Sequence, residues 1–200
     1  MMKSLLEIFL NHTIQYNGKW SENCVEVLKN GGIILYPTDT IWGIGCDATN
    51  ENAVKKVYEL KKRSKSKALI ILIAEYANLY KLIDQLSPNA FKYINSKNPT
   101  TVIFDNVKNI SKMAISSDGS AAIRLPNDDF CKKIISELGK PIISTSANIS
   151  GKNNPKSYSE INKDIIENVD YVVNLRQDEI MEKPSSIIKI FDDGKIEKIR

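Results

Sequence analysis

Three segments of the chain concentrate residue types that bind small anions. Tyr36-Pro37-Thr38-Asp39-Thr40 sets two Thr hydroxyls on a Pro-stiffened turn, which can hold a small polar ligand without a charged side chain. The plainer alternative is an ordinary turn in which Asp39 bonds its own backbone. Lys61-Lys62-Arg63-Ser64-Lys65-Ser66-Lys67 places five basic residues in seven. A solvated helix C-terminus, which favours cations, explains part of that run. Its position directly before an apolar β-branched stretch would also let some of these side chains overhang a sheet edge, as a phosphate clamp must. Ser144-Thr145-Ser146-Ala147-Asn148-Ile149-Ser150 carries four hydroxyls and one amide straight after an apolar run. It can give many short hydrogen bonds to phosphate or carboxylate oxygens, and a solvated face does not explain it. The Walker spacing is absent, and Trp42-Gly43-Ile44-Gly45 lacks the third Gly of a dinucleotide fingerprint.

Other chemistry is excluded by what the chain lacks. Its 200 residues include one His and three Cys, at 24, 46 and 131. That is too few and too dispersed for a zinc site, so no metal ligand is assigned. A Ser-His-Asp triad would have to use His12, and no Gly-x-Ser-x-Gly elbow occurs. An odd number of widely spaced Cys suits a reduced, cytoplasmic setting better than a disulfide framework. The longest apolar run, Ala68 to Ala74, is far below the ~20 residues of a membrane span. Glu7 interrupts the apolar stretch Leu5 to Leu10, so the N-terminus is read as mature sequence rather than a signal peptide. The net charge of +4 permits an anionic partner without demanding one.

The elements that must position these segments alternate between apolar β-branched runs and amphipathic stretches. Ser21 is placed as the N-cap of a helix through Cys24, Val25 and Leu28, ended by Asn30-Gly31-Gly32. Strands are predicted at Ile33–Tyr36, Leu69–Ile73, Thr101–Phe104, Ala121–Arg124, Ile142–Thr145 and Tyr171–Val173. Helices are predicted at Asn50–Lys62, Tyr76–Leu86, Pro88–Ser96, Asp128–Leu138 and Ser159–Asn168. Ser186–Phe191 and Lys195–Ile199, joined by Asp192-Asp193-Gly194, read as a hairpin. The expectation is a single α/β domain over residues 1–200, a twisted mixed β-sheet flanked by helices.

Taken in order, Tyr36-Pro37-Thr38-Asp39-Thr40, Lys61-Lys62-Arg63, Ile123-Arg124-Leu125-Pro126 and Ser144-Thr145-Ser146-Ala147-Asn148-Ile149-Ser150-Gly151 resemble the YrdC-like family, the threonylcarbamoyl-AMP synthases. The resemblance runs from about Gly31 to Ile188 and implies the YrdC-like fold in its short, single-domain form. It also implies condensation of L-threonine, bicarbonate or CO2, and ATP (carried with Mg2+) into threonylcarbamoyl-AMP and pyrophosphate. This is the first step of tRNA threonylcarbamoyladenosine formation, whose product passes to a tRNA-modifying transferase.

By that resemblance, Lys61 and Arg63 are catalytic and neutralise the triphosphate. Thr38, Thr40, Arg124 and Ser144 bind threonine or its carbamate. Lys67, Ser120, Ser146, Asn148 and Asn154 join Lys61 and Arg63 at ATP. Asn98-Pro99-Thr100 is shorter than the family's turn, and Asn174-Leu175-Arg176 departs from its pattern, so Arg176, Ser185 and Ser186 receive no role. Two alternatives stand beside the synthase. One is an RNA-binding module using the basic run as an electrostatic footprint. The other is a carbamoyl-transfer domain like that of the hydrogenase-maturation proteins.

Overall fold

The structure, a computed structural model, describes residues 19–64, 69–191 and 194–200. Its centre is a nine-stranded mixed sheet. In chain order the strands are β1 (Ile34–Tyr36), β2 (Gly43–Asp47), β3 (Ile70–Leu72), β4 (Thr100–Phe104), β5 (Ala121–Arg124), β6 (Ile142–Ser146), β7 (Tyr171–Val172), β8 (Ser186–Ile190) and β9 (Ile196–Lys198). Across the sheet they run β7-β1-β2-β6-β3-β5-β4-β8-β9. The pairs β1/β7, β3/β5 and β4/β8 are parallel, and the others antiparallel. The helices are α1 (residues 19–29), α2 (Glu51–Leu60), α3 (Ala90–Ile94), α4 (Asp129–Leu138) and α5 (Lys163–Glu167). Among the described residues no helix is long and apolar enough to cross a membrane.

Side-chain alternation assigns the two faces of the sheet different partners. Leu35, Ile44, Ile71, Ile123, Ile143, Val102 and Ile188 lie on one face, in the larger core with α2 and α3. Ile34, Tyr36, Leu72 and Ile142 lie on the other, under α1 and α4, where Cys24, Leu28, Phe130, Ile134 and Leu138 pack. These helices cover only part of that second face. The uncovered part carries Ser144, Ile70, Arg124 and Ile187, and the cleft described below opens there.

Local signals explain where the helices start and stop. The Asn50 side chain accepts from Ala53 N–H (3.1 Å) to open α2, and Asp128 accepts from Cys131 N–H (2.7 Å) to open α4. Each such cap stabilises by about 1 kcal/mol. Gly139 ends α4 at φ +73°, a left-handed turn that L side chains rarely adopt.

Four expectations are corrected. Ser21 is not a cap but a buried residue inside α1. The stretch from Tyr76 tightens into a 3-10 turn over Tyr76–Lys81 instead of a helix to Leu86. The predicted Ser159–Asn168 helix splits into a 3-10 turn, Tyr158–Glu160, and α5, whose cap Asn162 accepts from Asp164 N–H (2.8 Å). Strand β2 was not anticipated at all, because Gly43 and Gly45 carry no strand signal. Its glycines are there for packing. A Cβ on Gly45 would sit 2.8 Å from Tyr36 Cε1 and 2.9 Å from the Ile143 carbonyl oxygen, so the Tyr36 ring occupies the space a side chain would need. The hairpin is present as β8 and β9; Asp192 and Asp193 of its turn lie outside the described residues.

Candidate active site

The cleft, about 160 Å³ in volume, is walled by residues of β2, β3, β5, β6 and β8 and of the segments that flank the elements around them. The first wall is the turn after β1. The Thr38 hydroxyl donates to the Ile41 carbonyl (2.8 Å) and accepts from the backbone N–H groups of Thr40 (3.0 Å) and Ile41 (3.3 Å). Its one proton is thereby used, so across the 2.9 Å contact Thr40 Oγ1 is the donor and keeps its lone pairs for a ligand. Asp39 does not bond its own backbone. It gives one oxygen to Arg124 Nη1 and the other to the Asn127 N–H (3.0 Å).

Arg124 stands at the end of β5, and its ion pair with Asp39 is almost completely buried, at 3% and 8% exposure. Its Nε is a buried donor without a partner. An orphaned donor of this kind is costly unless a ligand takes it. Beside it, bare backbone at Gly43 lets other groups close in: a Cβ there would lie 3.1 Å from Ser144 Oγ and 3.4 Å from Thr38 Cγ2. Strand β6 and its exit then supply Ser144, Thr145 and Ser146 to the lining.

On the α2 side the Lys-x-Arg pair divides. Lys62 takes a left-handed φ of +49°, and the chain turns there. Arg63 lines the cleft, its pKa lowered by burial. Lys61 faces away. Its ammonium donates to the carbonyl oxygens of Ser146 and of Asn148 (2.7 Å) and to Asn148 Oδ1 (3.1 Å). Burial, reinforced by the neighbouring Arg63, pushes its pKa down to about 7.

Of the expected site residues, Thr38, Thr40, Arg63, Arg124, Ser144, Ser146 and Asn154 meet at this cleft. Lys61 and Asn148 sit behind its wall. Asn148 spends its side chain on Lys61, on the Ser146 hydroxyl (2.6 Å) and on the Lys152 carbonyl. Ser120 lies at the opposite end of β5 from Arg124 and outside the lining, its hydroxyl donated to Asp118 Oδ1 (2.6 Å). Lys67 lies outside the described residues.

Other lining groups had no assigned role from the sequence. Ser185 is buried, with its hydroxyl 2.8 Å from Thr101 Oγ1. Ile70 on β3 and Ile187 on β8, with β5 and β4 between them, add apolar lining at separate points of the floor. Arg200 reaches the lining through the β8–β9 hairpin, where Ile199 and Arg200 pair with Ile187, and its guanidinium donates to the Ser185 carbonyl (3.1 and 2.8 Å). The Asp-Gly hairpin signal alone would not have found it: that register sets Ile199 opposite Ile187, and Arg200 comes to the cleft because its backbone bonds Ile187 as well. Arg176 pairs instead with Asp128 (2.8 Å) and lines an adjoining hollow that shares Thr38, Thr40 and Pro184 with the cleft.

The lining therefore holds three guanidinium groups, a band of hydroxyls and no Asp or Glu side chain. Asp39, just outside it, neutralises only Arg124. Such a surface attracts and orients anions and offers no strong general base. Among the described residues no three His, Cys, Asp or Glu gather as metal ligands.

The chain is 32% identical over 154 residues to the threonylcarbamoyl-AMP synthase of Pseudoalteromonas translucida, covering 75% of this chain and 82% of that one. It is 33% identical over 176 residues to that of Photobacterium profundum, covering 86% and 95%. Among solved structures, P. abyssi Sua5 complexed with L-threonine superposes with a TM-score of 0.80 at 25% identity. The match covers 92% of this chain and 54% of that one, so the chain spans about half the length of the P. abyssi protein. Residues 26–200, from α1 through the hairpin that delivers Arg200, match the family described as "Telomere recombination", and on that span the chain belongs to the Sua5/YciO/YrdC family.

Proposed function

We propose that the chain is an L-threonylcarbamoyladenylate synthase, a nucleotidyltransferase. The observation that carries this is the cleft itself: three guanidinium groups and a hydroxyl band, with one buried Arg124 donor still open. The reaction brings anions together. The threonine amine adds to CO2 with loss of a proton, or to bicarbonate with loss of water, giving a carbamate. A carbamate oxygen then bonds to the α-phosphorus of ATP while the bond to the β-phosphate oxygen breaks, and that electron pair leaves with pyrophosphate. Charge accumulates on phosphate and carboxylate oxygens, so positioning and fixed positive charge supply most of what the step needs.

Each wall has a task on this basis. Arg124 Nε faces a threonine carboxylate or carbamate oxygen, and the Thr40 hydroxyl accepts from the ammonium or carbamate N–H. Thr38 holds Thr40 in place. Arg63 and Arg200 flank the triphosphate and the departing pyrophosphate, while Ser144 donates to oxygens between the two substrates and Ser146, whose proton goes to Asn148 Oδ1, lines the same wall. Asn154 lies at the rim on the nucleotide side. Mg2+ enters as part of the ATP substrate, held mainly by phosphate oxygens. The product then passes to a transferase that modifies tRNA.

Pyrophosphate release from ATP, measured with and without L-threonine and bicarbonate, tests the proposal. Release that requires both co-substrates is the expected result. Release that ignores them refutes it.

A further inference from the structure

We propose that Lys61 is a positioning residue: from behind the cleft its ammonium holds the loop of Ser146 to Ser150 in the register that keeps Ser144 and Ser146 in the cleft wall. An ammonium has three N–H donors and no acceptor. Three oxygens take them, all from Ser146 and Asn148. No donor remains for a phosphate, and the side chain has 0% exposure and no place in the cleft lining.

The same residue ties the loop a second time, because the Lys61 carbonyl accepts from the Ser150 N–H (2.9 Å). Within the loop, the Ser146 hydroxyl and the Lys152 carbonyl complete the Asn148 amide. One residue at the end of α2 thus clamps the strand exit that supplies the hydroxyls. A neutral amine would set its lone pair against a carbonyl oxygen, so this set of acceptors favours the charged form that burial disfavours. The convergent geometry also discriminates between cations. A compact ammonium fits three oxygens around one point; a planar guanidinium fork does not. A phosphate clamp, by contrast, accepts either.

The effect on turnover rests on the synthase proposal above; the effect on the loop does not. In limited acetylation of the intact chain, mapped by mass spectrometry, Lys61 is expected among the least modified lysines, with no change on adding MgATP. Lys55, 60% exposed, serves as the fast reference. In Lys61→Arg and Lys61→Met, hydrogen exchange in the peptide spanning residues 144–152 is expected to rise at least tenfold, with that of α4 unchanged. Both variants are expected to lose at least 100-fold in kcat, with KM for ATP within threefold. The proposal is overturned if Lys61 is acetylated as fast as Lys55 and protected by MgATP. It is overturned equally if exchange at 144–152 is unchanged, or if Lys61→Arg keeps kcat within threefold. Should wild-type chain release no threonine-dependent pyrophosphate, the synthase proposal fails, and acetylation and exchange still decide the role of Lys61. Should Lys61→Met fail to fold, Lys61→Arg and the wild-type acetylation pattern decide it.

Discussion

Arg124→Met separates the two things this residue does, holding a buried charge pair and offering an open donor. With Arg124 3% and Asp39 8% exposed, the pair is nearly desolvated. Removing the guanidinium leaves the Asp39 carboxylate buried, with the Asn127 N–H as its remaining hydrogen bond (3.0 Å). Breaking a buried pair from one side costs about 3–5 kcal/mol. Against this, the substitution also removes the unpartnered Nε donor, a penalty of about 1–3 kcal/mol in the native protein. At the midpoints of these ranges the net destabilisation is about 2 kcal/mol. At roughly 2–4 °C per kcal/mol for a domain of this size, Tm falls by about 4–8 °C. Adding Asp39→Asn to the variant removes the stranded charge and is expected to restore at least half of that loss, so the two substitutions couple strongly. L-threonine gives the second arm of the test. At a concentration 100 times its Kd it stabilises the wild-type protein by about 2.7 kcal/mol, and it leaves Arg124→Met unchanged. Thermal denaturation at pH 7, with and without L-threonine, reads all of these. If Arg124→Met loses less than about 1 kcal/mol and threonine stabilises it as well as wild type, both the pairing energetics and the placement of threonine are wrong.

Three further outcomes follow from other parts of the molecule. Arg63→Ala is expected to lower kcat/KM for ATP by about 10²–10³-fold, the size of one lost transition-state electrostatic contact, while unfolding shifts by less than about 1 kcal/mol; full activity in steady-state assays would remove Arg63 from the phosphate site. Gly45→Ala forces a Cβ to within 2.8 Å of Tyr36 Cε1, so urea denaturation should show a loss of about 1–3 kcal/mol from overpacking, and an unchanged midpoint would mean that the Tyr36 ring is free to move aside. Burial pushes the Cys24 thiol up to about 12 and raises Cys46 and Cys131 as well. At pH 8 the Cys24 thiolate is then about one part in ten thousand, so a disulfide reagent should label none of the three until denaturant is added, and a thiol that reacts within minutes in the native protein contradicts their packing.

What was legible in the chain divides along a physical line. Helices α2 and α4 could be bounded closely because their caps are local: Asn50 and Asp128 bond the N–H three residues on. The hydroxyl-rich exit of β6 was legible because a polar cluster directly after a buried strand has little else to do. Strand β2 was hidden because its glycines answer a ring from the neighbouring strand, a contact that no window of sequence contains. The division between Lys61 and Arg63 was hidden for a related reason. The two are separated by one residue at a helix end, and which of them faces the cleft is settled by a left-handed turn at Lys62, where no glycine announces it. Charge density alone would put both on the phosphates. Counting donors against acceptors reverses that for Lys61, since three carbonyl oxygens exhaust its ammonium. The cleft loses one expected cation to its own scaffold and gains another in Arg200, which the sheet delivers from the far end of the chain. The cationic character of this site is therefore a property of strand register and helix ends, and the basic run at 61–67 marks only one of its corners.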